Sequence, residues 1–405
     1  MKKKLLTYIF IIIIVSVTAI FLNYKNEASN KDSNKNIIVF WTLQLGTFDK
    51  YINNIIIEFE KENPHIKVKW VDVPYSEGEK RILAAILTDN PPDLVNLTPD
   101  FSLLLAQKNA LQKINKDDLI QFLPAILETL KYNNEYFGIP FYATSAVTLY
   151  NTDKINLKTL PKTYDDLFKI SPPPDGTYLT MINFTENDTL LKLLNKYNIN
   201  SPDTITCEKS IKLYEEFKRL YDNNLIPRES ITQTHRDALE KYMSGQLLFL
   251  VTGGNFLNMI KENAPSVYKS TKILPQLTGD SGLYDYSLMN FIIPKRAKHK
   301  KAALKFALFL TNKDNQLEFA GLTPILPVNK TALQDEYFKN SSDDLTETAR
   351  IISAKQLNNL QLQPEYTRNK KELNTISANY IQKILIKNAP IPETLNQFSD
   401  DWRKL

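Results

Sequence analysis

Residues 135–154 read EYFGIPFYATSAVTLYNTDK, and this pattern decides the fold. The two asparagines just before them, Asn133 and Asn134, form a hairpin tip. A short strand interrupted by Gly138 and Pro140 follows, then a long extended run of β-branched and aromatic residues. Proline gives no N–H to a ladder, so Pro140 keeps the segment from being the central strand of an ordinary sheet. Gly138 lets the backbone come close to a neighbour. An aromatic-rich crossing strand of this kind suits a wall between two lobes, against which a small polar ligand lies.

Upstream, residues 37–41 (IIVFW) are continuously apolar, as expected of a parallel strand buried on both faces. Tyr51, Ile52, Ile55, Ile56 and Phe59 share one helical face, and Asn63-Pro64 ends that helix. Ile66, Val68 and Trp70 alternate with lysines as a strand, which assigns Trp70 to the core. Residues 80–87 predict a helix and 94–97 a third strand. Strand, helix, strand, helix, strand is a doubly wound α/β lobe. Downstream the chain is more helical. Residues 190–197, 211–221 and 300–310 predict amphipathic helices, 247–251 and 287–294 strands, and 171–176 a loop. The tail from Ala349 is helical with a break at 389–392. No internal repeat is present.

At 405 residues the chain exceeds one comfortable core and calls for two lobes. Its net charge of +5 comes from dispersed lysines, which speaks against a nucleic-acid surface. The N-terminus carries an export pattern. Lys2, Lys3 and Lys4 precede an apolar run over 5–22, and a polar tether rich in Asn, Lys and Ser covers 23–36. The run is longer than an ordinary signal core, so residues 1–22 read either as a cleaved signal peptide or as a retained N-terminal membrane anchor. The single cysteine, Cys207, excludes an intrachain disulfide and a lipid-anchoring cysteine after the signal. It reads as a small buried apolar residue.

Only 10 glycines occur, so those present are expected where the backbone needs positive φ or close approach. Gly46, Gly78 and the pair Gly253-Gly254 follow expected strand ends, where ligands collect in open α/β sheets. Phosphate-loop, dinucleotide, zinc-protease and serine-hydrolase motifs are missing. His65, His235 and His299 are scattered and read as surface residues, so neither a metal nor a cofactor is expected. The basic run KRAKHKK at 295–301 reads first as a solvated helix start and second as a docking face for a membrane partner or an acidic surface.

Several segments, in order, resemble the extracellular solute-binding proteins of ABC-type importers, in particular the carbohydrate-binding, maltose- and oligosaccharide-receptor group. They are IIVFWT at 37–42 with FEKENPHIKVKW at 59–70, NPPDLVNL at 90–97, the opening stretch with LPKTYDDLFKI at 160–170, YMSGQLLFLVTGGNF at 242–256, and KHKKAALKFALFLTNKDNQLEFA at 298–320 with GLTPILPVNKTAL at 321–333. Where family members often carry a glycine and a tryptophan, this chain has Gly254-Asn255-Phe256. Where they often carry paired glycines, it has Tyr284-Asp285-Tyr286-Ser287.

The resemblance implies a two-lobed, type II, clamp-like periplasmic-binding-protein fold with crossing hinge strands. One α/β lobe would comprise residues 37–142 and 287–325, the other residues 143–286 and 326–405. It also implies closure around one carbohydrate, delivery to the permease's membrane subunits, a monomer, and a place on the outer side of the inner membrane. Sugar recognition uses flat aromatic faces against ring CH groups and polar side chains in place of water at the hydroxyls. The expected ligand residues are Trp41, Thr42 and Gln44 after the first strand, Tyr75 and Glu77 after the second, and Asn96 and Thr98 at the third. Tyr142 and Thr144 on the crossing strand, Asn255 and Phe256, and Tyr284, Asp285 and Tyr286 complete the set. No catalytic residue is expected. An exported glycoside-cleaving enzyme, a sensor for a membrane kinase and a receptor for a non-sugar solute are the alternatives.

Overall fold

Each of the first two strands is followed by a helix, and the residues those helices bury are spaced three and four apart in the sequence. The computed structural model describes residues 36–405 apart from 156–158, 173–174, 341–343 and 363–368. The expected signal or anchor, the tether up to residue 35, and Pro173 and Pro174 of the expected loop lie outside the described residues. Contacts gather the chain into two units: the part up to Asn96 with Ile293–Phe309, and Leu97–Ile292 with Leu310–Leu405.

In the first unit β1 (Asn36–Leu43) lies parallel to β2 (Ile66–Val73), from Asn36↔Ile66 to Leu43↔Val73. It also lies parallel to β3 (Leu94–Leu97) at Phe40↔Leu94 and Trp41↔Val95. Burial along β1 alternates rather than being complete: Ile38 and Phe40 are buried, whereas Ile37 is exposed and Trp41 half-buried. The helix Asp49–Glu62 buries Tyr51, Ile52, Ile55, Ile56 and Phe59, as its periodicity predicts. Phe59 meets Phe306 of the helix Lys300–Leu310 with ring centroids 4.8 Å apart, and Phe306 meets Phe40 edge-on at 5.3 Å. The second helix, Tyr75–Ile86, starts five residues before the expected 80, because Pro74 takes the N-cap. Gly78 therefore sits inside a helix and not in a turn. A Cβ there would stand 2.3 Å from Leu43 Cδ2, so glycine brings this helix onto β1.

In the second unit the helices Pro99–Gln107 and Pro124–Glu128 precede the hairpin β4 (Lys131–Tyr132) and β5 (Glu135–Tyr136). Asn133 and Asn134 both have positive φ, 49° and 63°, as a two-residue hairpin turn requires. The crossing strand β6 (Ile139–Asn151) then organises the unit with β7 (Phe249–Gly253), β8 (Thr271–Pro275), β9 (Tyr286–Ile292) and β10 (Leu326–Pro327), all antiparallel to it. Residues 139–145 pair with β9, while Tyr142 and Ala143 pair with β10. Residues 146–150 pair with β7, and 147–151 with β8.

β6 is thus central despite Pro140, contrary to the sequence reading. The register shifts between Pro140 and Tyr142, a bulge that lets a residue without an N–H stand in an inner strand. The side-chain amide of Gln316 donates to the carbonyl of Phe141 at this bulge. Gly138 does make the expected close approach, to protein: a Cβ would lie 2.7 Å from Asn290 Nδ2 and 3.1 Å from Leu130.

Helices Thr189–Asn195, Glu208–Asp222, Lys370–Lys387 and Ile391–Arg403 enclose the larger core, in which Phe398 stacks between Tyr380 and Trp402. The expected break before the last helix is Asn388, in the left-handed region at φ 53°, followed by Pro390. Cys207 is half-buried at the N-cap of Glu208–Asp222 rather than buried.

Candidate functional site

The turn after β1 is built by a residue the sequence reading passed over. Asp72 accepts hydrogen bonds from Thr42 Oγ1 at 2.6 Å, from the Leu45 N–H at 2.9 Å and from the Gly46 N–H at 2.8 Å. Thr42 Oγ1 accepts from the indole N–H of Trp70 at 2.8 Å. Thr42 is fully buried and its hydroxyl is engaged, so it holds the turn. Trp70 is half-buried and hydrogen-bonded rather than a core residue. The turn leaves Gln44 exposed at φ 54°, a backbone state that costs a non-glycine residue about 1–2 kcal/mol. The signal for Asp72 was available: it is the one carboxylate in the alternating strand 66–73, opposite Thr42 in the register.

Tyr75 is 56% exposed, and Glu77, also exposed, lies 3.7 Å from Arg81 in the first turn of their helix. Asn96 is fully buried in β3. Thus Trp41, Gln44, Tyr75 and Glu77 present side-chain surface in this unit, while Thr42 and Asn96 lie behind it.

In the second unit Thr98 is half-exposed at the N-cap of the helix Pro99–Gln107, its carbonyl accepting from Ser102 Oγ at 2.9 Å. Tyr142 and Thr144 are half-exposed on β6 and alternate with the buried Ala143 and Ser145, while Phe141 is the extra residue of the bulge. The Tyr142 ring stands edge-on to Phe141 at 4.9 Å and to Phe319 at 5.8 Å. Asn255 is exposed and Phe256 half-buried in the turn after β7. Phe256 packs edge-on against His235 at 5.4 Å, and His235 Nε2 lies 2.9 Å from Thr252 Oγ1. His235 is therefore not the surface residue expected. Burial pushes its pKa below the usual histidine value, against the pull of Glu186, whose carboxylate accepts the His235 backbone N–H at 2.7 Å.

The segment 284–286 divides by role. Tyr284 is half-exposed, its backbone bridged to Asn359 and Gln361. Asp285 is held in an ion pair with Lys196, 2.8 Å away and almost fully buried. Gln276 Oε1 accepts from the Asp285 N–H at 2.7 Å and from Lys196 at 3.3 Å. The Gln276 N–H in turn donates to Gln356, which donates to Ser145 Oγ at 2.7 Å and to the Ala146 carbonyl at 2.8 Å. This knot fixes the start of β9 against β6 where β6 changes partners. Tyr286 is buried, and burial raises its hydroxyl pKa above the ordinary tyrosine range. None of the knot's lysine or glutamines was singled out in the sequence, since a buried lysine has no local signature.

Among the described residues no group of three or more His, Cys, Asp or Glu side chains is gathered that could hold a metal ion, and no helix is long and apolar enough to cross a membrane. A cavity of about 310 Å³ lies between the last two long helices, among Tyr380, Lys383, Ile386 and Asp401, and none of the expected ligand residues lines it.

Residues 54–346 match the family model of the bacterial extracellular solute-binding protein. The chain belongs to that family. Members are extracellular proteins, so it works outside the cytoplasm. It is 26% identical to the multiple sugar-binding protein of Streptococcus mutans over 74% of this chain and 77% of that one. It is 22% identical to the galactooligosaccharide-binding protein of Bacillus subtilis over 74% and 75%. Among solved structures it is similar to a Synechococcus sp. MITs9220 protein proposed as an oligosaccharide periplasmic-binding protein, with TM-score 0.78 and 27% identity over 91% of this chain and 98% of that one. The sugar-binding protein MalE of Xanthomonas citri shares the fold at TM-score 0.75 and 16% identity over 91% and 97%. The solute-binding chain thus has the two-lobed type II fold of the periplasmic sugar-binding proteins.

Proposed function

We propose that this solute-binding protein captures a neutral sugar or oligosaccharide outside the cytoplasm and delivers it, unchanged, to the membrane subunits of an ABC importer, acting as a monomer. The observation that carries the reading is its similarity, over three-quarters of both chains, to a multiple sugar-binding protein. The residues support it in their chemistry. Trp41, Tyr75, Tyr142, Phe256 and Tyr284 offer aromatic groups that are not fully buried, Gln44, Glu77, Thr98 and Asn255 offer polar groups shortly after strand ends, and Thr144 offers one within β6. We assign these ten to direct ligand contact. Thr42, Asn96, Asp285 and Tyr286 belong to the support behind them, because each is buried or engaged with protein. The change of β6 partners between Ser145 and Ala146 supports a pivot there, with lobes of residues 37–142 and 287–325, and of 143–286 and 326–405.

Equilibrium dialysis against a mixture of monosaccharides, malto-oligosaccharides and galacto-oligosaccharides, followed by mass spectrometry of both compartments, tests this. Enrichment of one intact sugar on the protein side is the expected result. Shortened sugars appearing with time would establish a glycoside-cleaving enzyme instead, and equal concentrations on both sides would remove sugars as the ligand.

A further inference from the structure

The basic run at 295–301 stands at a defined end of the first unit. Asp93, just before β3, exchanges hydrogen bonds with Val39: the Asp93 N–H donates to the Val39 carbonyl at 2.8 Å, and the Val39 N–H to Asp93 Oδ2 at 3.0 Å. The other carboxylate oxygen, Asp93 Oδ1, accepts from the His299 N–H at 2.8 Å. The run is thereby pinned beside the start of β3, level with Val39 in the N-terminal half of β1. Lys295, Arg296, Lys298 and Lys301 are exposed there, and so are Lys67 and Lys69 near the start of β2. Asp89 lies 3.2 Å from Arg296 with both side chains largely exposed, and Glu60 meets Lys67. The exposed Arg296–Asp89 pair holds little energy and exchanges readily for other anions. Lys300 and Lys301 occupy the first turn of a helix that has no acidic residue there, where the helix dipole disfavours cations. Helix stability therefore does not account for them.

The same end is where the chain enters the unit, since β1 starts at Asn36. In the sequence, residues 23–35 separate that strand from the apolar run 5–22. The expected ligand residues Trp41, Thr42 and Gln44 lie at or just beyond the opposite, C-terminal end of β1.

We infer that this basic end is a docking surface for anionic phospholipid headgroups, which parks the tethered protein with the C-terminal ends of β1–β3 turned away from the bilayer. An apolar anchor holds the chain at the bilayer by itself, and exposed basic residues near an anionic surface add about 1 kcal/mol each, which is enough to select an orientation. The parked orientation leaves the capture residues of this unit facing solvent, and docking to an importer requires release from the lipid. The inference rests on the extracellular location and on residues 5–22 remaining attached, and does not depend on which solute is carried.

The test uses the full chain in nanodiscs of phosphatidylcholine alone or with phosphatidylglycerol, with amine acetylation read by peptide mass spectrometry. Lys295, Lys298 and Lys301 should react about threefold or more slowly in the anionic discs, and high salt should restore the rate. The exposed Lys50, in the helix that follows the C-terminal end of β1 in the same unit, should react alike in both. Equal rates at 295, 298 and 301 in the two lipids overturn the inference. So does slowing at Lys50 to the same extent, or slowing only once importer membrane subunits are added. Changing Lys295→Gln, Lys298→Gln and Lys301→Gln together should leave solute binding unchanged, so this outcome is separate from that of the dialysis experiment.

Discussion

Single residues show most clearly how support and contact are divided. Lys196 is almost fully buried, with an ammonium that has Asp285 and Gln276 for partners. Lys196→Met removes the cation and leaves a largely buried carboxylate without it, which costs about 3–5 kcal/mol. Urea denaturation should show that loss. The double change Lys196→Met with Asp285→Leu should recover most of it, because no charge is then left behind. His235 gives a pH signature. Its pKa in the fold is lowered by burial from the ordinary 6.5, so below that value the unfolded chain binds the proton more readily than the folded one. The contribution of His235 to stability is complete above pH 6.5 and falls as the pH drops through the folded-state value. Melting temperatures from pH 7 down to pH 5 should therefore decline less in His235→Gln than in the parent, and parallel curves would show that the ring's burial has no thermodynamic weight.

At the scale of elements, β6 carries the organisation. Gly138→Ala just before it places a methyl group against both Asn290 and Leu130, and overpacking of this kind costs about 1–3 kcal/mol. An unchanged denaturation midpoint would mean that Leu130 yields. The crossing strand, the first-unit helices and the Asn133-Asn134 turn were legible because each follows from a local rule: alternation, a three-and-four spacing, or two residues that tolerate positive φ. The central position of Pro140 was not, because the bulge that accommodates it depends on β9, nearly 150 residues later. The early start of the helix Tyr75–Ile86 was hidden by polar residues in its first turn, and this placed Gly78 in a turn it does not occupy. The scarcity of glycine has a structural counterpart: Asn109, Asn133, Asn134, Asn187, Asn198, Asn224 and Asn388 take left-handed positions that glycine commonly fills. At the site, exposure was the unreadable quantity. Thr42 and Gln44 look equally available in the sequence, and only the placement of Asp72 separates the engaged hydroxyl from the exposed amide.

For the whole molecule, the fold and the family follow from many weak signals in order, while the ligand depends on a few side chains whose neighbours come from distant segments. Tyr142 is the most discriminating of these: it is half-exposed on β6 with Thr144 two residues on, and its ring meets Phe141 and Phe319 at steep angles. Losing those edge contacts costs stability about 1–2 kcal/mol, which a fold of this size tolerates. Isothermal titration calorimetry of the parent and of Tyr142→Ala, with the sugar enriched in dialysis and with a sugar phosphate and a polyamine as comparators, tests sugar capture most directly. The prediction is saturable one-to-one binding of the neutral sugar by the parent, affinity at least about tenfold weaker in Tyr142→Ala with cooperative unfolding retained, and no heat from the charged solutes. Saturable binding of a charged solute, with the neutral sugars silent, would contradict it.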